Sequence, residues 1–538
     1  MPSEFVDLAD RVVDSLLRSN PETAQSAGDH RLDSELVDYS PGAIAGVTTM
    51  LRDASDALAQ VDPDELEIAE QVDFEVLNAY VDRRLFELTE VREHEWNPLR
   101  HNPGPLLNAL IERTGTSPEE RLVHLAARMS AVPDAMATAR ATLRDCPQLH
   151  LETAAAQFAG AAALIRAQVP ELLAQAPSMS AEVTPAIEPA AAALEEAAAW
   201  MREQTGADRD PRLGRRLWEA RLWHTLDTGM SAASVISAAE AFVRDTGDRL
   251  REAAADFAGG MPNDEAVRRA FAQLGVDRPD NSTIIGLARE CLAETTAFVA
   301  EHDLVSLTDD RCEVVGLPEY ARGVAVAYCN APGALEADDV PTRYTIAPTP
   351  ADWTPERVES FFREYNTRSV RNLTVHEAMP GHFLQLSHSR RYRGSNRTRA
   401  LCYSGPFVEG WAVYAEEMMA DAGYGGTAVR LQQLKMALRM AINALLDQHI
   451  HCDGMTEAEA MTLMVERGFQ EEAEAAGKWR RALLSSTQLS TYFVGYTEVK
   501  AIASARPEGV KARDWHDRML SYGSLPPRHL RRLMGQIG

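Results

Sequence analysis

The sequence contains no apolar run approaching the roughly 20 residues that cross a bilayer. Its richest stretch, Ala154 to Ala167, is mostly alanine and carries Gln157 and Arg166. Cysteine is scarce as well: Cys146, Cys291, Cys312, Cys329, Cys402 and Cys452 are scattered, with no CxxC pair. That excludes a zinc ribbon or a dense disulfide framework and fits reduced, mostly buried thiols. The first residues, MPSEFVDLADRVVDSLL, lack a basic segment followed by an apolar one. No secretory signal is read there, so a cytoplasmic enzyme is expected. Positive charge is short too: 54 basic residues face 80 acidic ones, a formal charge of −26. Such a chain is repelled by phosphate surfaces, so neither nucleic acid nor membrane is an expected partner.

What is present is mainly helical periodicity. Phe5, Leu8, Val12, Val13, Leu16 and Leu17 lie on one helical face, and Asn20-Pro21-Glu22 reads as a stop and restart. The pattern recurs over Ile44–Ala59, Glu65–Leu88, Pro118–Leu143 and Leu151–Leu173. Three prolines in Gln175–Pro189 predict a break, with alanine-rich helices resuming at Ala190. The texture changes over residues 312–350. Glu313–Val315, Gly323–Tyr328 and Arg343–Ala347 are short β-like runs separated by prolines. Helices return at Pro355. The fold class expected is mainly α, with a small β-sheet beside a metal-binding helix. Residues 1–305 form an N-terminal helical region and 306–538 a catalytic region, in one intertwined body with a central cleft. There is no fixed-period repeat.

The chemistry is concentrated in His376-Glu377-Ala378-Met379-Pro380-Gly381-His382. A zinc hydrolase needs two or three neutral or anionic ligands, an open coordination position and a carboxylate to accept a proton from water. His376 and His382 supply imidazoles, and Glu377 is placed as the base. In an H-E-x-x-H helix the histidines are four apart, roughly 40° round the axis. Here they are six apart, roughly 120° on an ideal helix. An undistorted helix cannot bring both to one metal. Pro380-Gly381 offers the remedy, so a distortion is expected there. The third ligand should come from the helix 407–421. Glu409 is preferred, and Glu416, seven residues on and near the same face, is the rival or an outer-shell partner.

These segments resemble the DUF885 family of zincin-like proteins. The resemblance rests on His376-Glu-x-x-Pro-Gly-His382-Phe-Leu-Gln385 and Glu409-Gly-Trp-Ala-x-Tyr414-x-Glu416. Downstream, Arg439, Asp447 and His451 match an R…D-x-G-x-H element, with Gln448-His449 replacing the usual Thr-Gly. Tyr492 and Gly495 fit a Ser-Tyr-x-x-Gly element, here spread as Ser490-Thr491-Tyr492-Phe493-Val494-Gly495, and Trp515-His516-Asp517 and Gly523-Ser524-Leu525-Pro526 match a closing segment. The resemblance is strong from Leu373 to Pro526 and weak before that. It implies a large helical zincin-like metallopeptidase body of the carboxypeptidase or oligopeptidase type, favouring carboxypeptidase or dipeptidase over endopeptidase action.

The expected cofactor is Zn2+, with another divalent transition metal able to occupy the same ligands. The expected partner is a short peptide or a peptide-like small molecule. Tyr492 and His451 are candidates to stabilise an oxyanion, with Tyr496 a further one. Asp447, four residues before His451, is a candidate outer-shell group. Arg343, Arg480 and Arg481 are rivals for a substrate carboxylate. The strand from Arg343 through Tyr344 to Ala347 is a candidate for pairing with an extended substrate. His388 and the arginines at 390, 391, 393, 397 and 399 read as surface or salt-bridged groups. Two other functions share these features: hydrolysis of, or elimination from, a non-peptide amide in bacterial specialised metabolism, and a non-catalytic helical binding protein with a vestigial metal site. The intact Glu377 weighs against the second.

Overall fold

The computed structural model describes residues 4–204, 206, 208–317, 322, 326–337 and 339–535. Helices dominate, and the strands among the described residues form one small sheet. The chain divides into two compact units. The first comprises 1–211, 332–340 and 394–402, and the second 212–331, 341–393 and 403–538. The helices of 212–305, grouped with the N-terminal region on sequence, thus belong with the second unit. Their apolar faces explain it. Trp218, Leu222, Val235 and Val243 share a core with Leu434, Leu438 and Leu445.

In the first unit, Glu4–Arg18 buries the apolar face read from sequence. Asn20 then caps Pro21–Ala27 by accepting the Thr23 N–H. The body of this unit is the helices Pro118–Thr142, Gln148–Leu173 and Ser180–Glu203, packed through alanine-rich faces. The break expected at Gln175–Pro189 is confined to its first residues. The last of these helices begins at Ser180 and runs through Pro185 and Pro189. Burial of Val183, Ala186, Ala190 and Leu194 on one stripe outweighs the lost backbone donors. The excursion 394–402 is fixed to this unit by Arg399, whose Nε donates to Asp73 at 2.6 Å with both side chains buried.

In the second unit, β1 (Cys312–Gly316), β2 (Ala327–Asn330) and β3 (Thr342–Ile346) form a sheet in the order β1-β3-β2. β1 runs parallel to β3 and β2 antiparallel to it. Residues 323–325 of the second β-like run lie outside the described residues. Tyr344 and Ile346 of β3 face Val370, Val375 and Ala378, which seats the sheet against the helix Thr367–Glu377. No helix among the described residues is long and apolar enough to cross a membrane.

Candidate metal centre

The helix Thr367–Glu377 starts at Asn366, whose side chain accepts the N–H groups of Arg368 and Ser369. It ends at Glu377, and a new helix, His382–Arg390, begins after a break of four residues. The Met379-Pro380 peptide bond between them is cis. Gly381 is held by its N–H to the Val375 carbonyl at 2.9 Å. A Cβ there would lie 1.9 Å from the His376 carbonyl oxygen, so only glycine passes this close. The break re-aims His382, and its ring centroid lies 4.8 Å from that of His376.

Glu409 arrives on the helix Gly405–Asp421. The Trp411 Nε1 donates to the Pro380 carbonyl at 2.8 Å and ties this helix to the turn. On its other side the helix touches Ser490–Ser504 backbone to backbone. A Cβ on Gly410 would fall 2.2 Å from the Gly495 carbonyl carbon. The Glu409 Oε2 lies 3.6 Å from the Nε2 of both His376 and His382. These are too long for good hydrogen bonds. Ligand distances of 2.0–2.2 Å with tetrahedral angles put neighbouring donor atoms about 3.3–3.5 Å apart, close to this spacing. The same Glu409 oxygen is buried and has no hydrogen-bond partner among the described residues. Two imidazoles and a carboxylate thus fit a divalent cation of the zinc type. The three side chains retain 14%, 11% and 23% exposure, which leaves an open side, as catalytic rather than closed structural sites require.

Glu416 orients His376. Its Oε1 accepts from the His376 Nδ1 at 2.7 Å, and its Oε2 accepts from the Asn372 Nδ2 at 2.5 Å. That bond fixes the tautomer with Nε2 free toward Glu409. The site is electrostatically built for positive charge. Burial acts to raise the Glu409 carboxyl, but the two imidazoles outweigh it and hold it well below the usual range. Burial acts to lower the His376 pKa, and Glu409 and Glu416 reverse that, leaving it well above the usual value. Burial pushes the Glu377 carboxyl up. The imidazoles and a hydrogen bond from the Cys329 backbone pull the other way without cancelling it.

The other sequence candidates divide. Tyr492 stands three residues before the Gly495 contact, and burial followed by the Glu409 charge raises its hydroxyl pKa. Its oxygen accepts from the Arg481 Nη2 at 3.3 Å and the Gln488 Nε2 at 3.2 Å. Tyr403, missed on sequence, also feels Glu409 and Tyr492 while remaining 53% exposed. Its one signal is position, next to Ser404, the N-cap of the Glu409 helix.

His451 is not at the cluster. Its Nε2 donates to the Ala482 and Ser485 carbonyls at 2.9 Å, and its Nδ1 accepts the Leu213 N–H at 3.3 Å, so both nitrogens are engaged by backbone. Asp447 does not support it. Asp447 accepts from the Trp218 Nε1, the Thr487 N–H and the Ser490 N–H and hydroxyl, all at 2.9 Å, which anchors the start of Ser490–Ser504. The Tyr496 hydroxyl donates to Glu417 at 2.8 Å and accepts from Lys500, within the core rather than at the ligands. β3 cannot pair with a substrate, because β1 and β2 occupy both its edges. Tyr344 is fully buried, with its hydroxyl against Thr374. Arg343, the next residue, falls on the opposite face of the sheet. Arg480 and Arg481 are both exposed on the helix Glu472–Leu484. His388 meets the Ser306 carbonyl, Arg391 bridges to Asp309 and Asp310, and Arg397 pairs with Asp10.

A family pattern described as a bacterial protein of unknown function, DUF885, matches residues 21–534. The chain belongs to the DUF885 family. A solved structure described as "a putative lipoprotein of unknown function" from Shewanella oneidensis is 28% identical, with a TM-score of 0.81, covering 99% of this chain and all of its own. A "putative lipoprotein" from Colwellia psychrerythraea is 16% identical with a TM-score of 0.80, covering 99% and 98%. The M32 carboxypeptidase of Deinococcus radiodurans R1 aligns at 12% identity over 98% and 96%, but a TM-score of 0.34 does not establish a shared fold. No curated protein matches the chain. Both full-length structural relatives are described as lipoproteins, and the expected cytoplasmic location is corrected accordingly. That expectation rested on the composition of the first residues alone. The helix there, Glu4–Arg18, is a packed amphipathic element of the fold and carries no information about compartment.

Proposed function

We propose that this DUF885 protein is a zincin-like metal-dependent hydrolase of peptide or amide bonds in short peptides or peptide-like metabolites. The observation that carries the reading is the Glu409 Oε2, buried without a hydrogen-bond partner and equidistant from two imidazole nitrogens, with Glu377 next in sequence to the first. His376, His382 and Glu409 would hold the ion. When bound, it supplies a Lewis acid that acidifies water and polarises a carbonyl.

The protein's own groups do the rest. Glu377, whose pKa is raised by burial, takes a proton from water and delivers it to the departing nitrogen. The raised pKa suits both halves of that transfer. Tyr492 would donate to the developing oxyanion. Both its described hydrogen bonds arrive at its oxygen, so its own proton is left to donate.

The test is metal content and turnover together. Protein purified without chelators should carry about one equivalent of a divalent transition metal and cleave members of a short-peptide library. Glu377→Gln should keep the metal and lose about 10²–10⁴-fold in rate. A preparation without stoichiometric metal, or one whose metal survives both His376→Ala and His382→Ala, would sink the proposal.

A further inference from the structure

We infer that Arg481 receives the free C-terminal carboxylate of a short peptide, which makes the hydrolase an exopeptidase that reads its substrate from the carboxyl end. The inference rests on the hydrolase reading above and adds the substrate class to it.

The starting point is a missing partner. In a chain with 80 acidic residues against 54 basic ones, arginines readily find carboxylates. Arg371 pairs with Glu294, Arg391 with Asp309 and Asp310, and Arg439 with Glu364 and Glu474. Arg481 meets only neutral groups among the described residues. Its Nη2 donates to the Gln488 Oε1 at 2.9 Å and the Tyr492 hydroxyl at 3.3 Å.

The position selects the ligand. Tyr492 accepts from Arg481 and feels the charge of Glu409, and the backbone contact of Gly410 with Gly495 locks together the helices that carry Glu409 and Tyr492. Arg481 is thus tied through the Tyr492 hydroxyl to the helix that packs on the Glu409 helix, so a short substrate with its scissile bond at the cluster would bring its carboxyl end toward this guanidinium. A guanidinium fork matches a carboxylate in a bidentate way. It also offsets the repulsion that Glu377 and Glu409 exert on a substrate carboxylate. The rivals lose the role on placement. Arg343 lies on the far face of the sheet, and Arg480 is turned about 100° round the helix from Arg481.

The experiment uses the metal-loaded full-length protein and a matched library of N-acetylated tripeptides, each as the free acid and the C-terminal amide. The wild type should cleave free acids with kcat/KM about 100-fold above the amides. Arg481→Met should lose that preference by slowing on the acids alone, and Arg481→Lys should restore part of it. A second readout avoids turnover. Calorimetric titration of Glu377→Gln with the same pairs should show tighter binding of the acid, abolished by adding Arg481→Met. Equal cleavage or equal binding of acid and amide overturns the role of Arg481. An acid preference in binding with no cleavage of any peptide overturns the hydrolase reading and leaves the carboxylate site standing.

Discussion

The hydrogen bond from His376 to Glu416 gives a prediction whose size follows from the geometry. At 2.7 Å to a 2%-exposed carboxylate, it is a charge-assisted bond in a low-dielectric setting. Glu416→Gln keeps the shape and a neutral acceptor but removes the charge. Loss of such an outer partner weakens metal binding by about 10- to 100-fold, roughly 1.4–2.8 kcal/mol. Glu416→Ala should do worse, because the Asn372 amide is also left unpaired in a buried position. Glu409→Ala, which deletes a ligand, should be the most damaging. Competition with a chromogenic chelator, alongside apo-protein melting curves, measures the order.

The pH dependence has a definite sign. Glu416 is one of the groups that raise the His376 pKa, so the wild-type ring must shed a proton to bind metal over a wider pH range than the Glu416→Gln ring. The affinity gap between the two should therefore narrow as pH falls. Unchanged affinity in Glu416→Gln would refute the positioning role. An Glu416→Ala protein as weak as Glu409→Ala would show that Glu416 is a ligand itself.

Three further outcomes are expected. Gly381→Ala places a Cβ 1.9 Å from the His376 carbonyl oxygen, so the protein should fold with a lowered Tm and lose stoichiometric metal, checked by melting and elemental analysis. Asp447→Ala orphans two backbone donors and the Trp218 indole in a buried position, and should cost about 3–5 kcal/mol in denaturant titration without changing the metal affinity of the protein that remains folded. Burial and the neighbouring Arg439 depress Lys478 from 10.5 to about 7. Between those values the unfolded chain binds the proton and the folded one does not, so the wild type should gain stability relative to Lys478→Met as pH rises from 7 toward 10, by an amount on the order of 4 kcal/mol.

What the sequence reveals depends on whether the chemistry is local. His376, Glu377 and His382 announce themselves because two imidazoles, a carboxylate and a Pro-Gly pair within seven residues have few structural uses. Their spacing even implies the break, which the structure places at residues 378–381. Glu409 and Glu416 are legible for a related reason. Seven residues on a helix return to the same face, so whichever is the ligand, the other stands near it.

The failures come where tertiary pairing decides. Asp447 and His451 do share a helical face, but that face meets the loop before Ser490 and the backbone at Leu213, neither of which periodicity can name. Residues 343–346 are a strand, as their composition implies, yet strand order is set by the partners, and β1 and β2 close both edges of β3. Tyr403 illustrates the reverse case. Only its position before the Ser404 N-cap marks it, and the charge of Glu409 reaches it because both lead from the same helix start. A triad able to hold a metal is thus written in residue type and spacing, whereas the groups that would choose a substrate are written in which helix packs on which. This is why Arg343, Arg480 and Arg481 are indistinguishable as sequence, whereas the structure joins Arg481 to Tyr492.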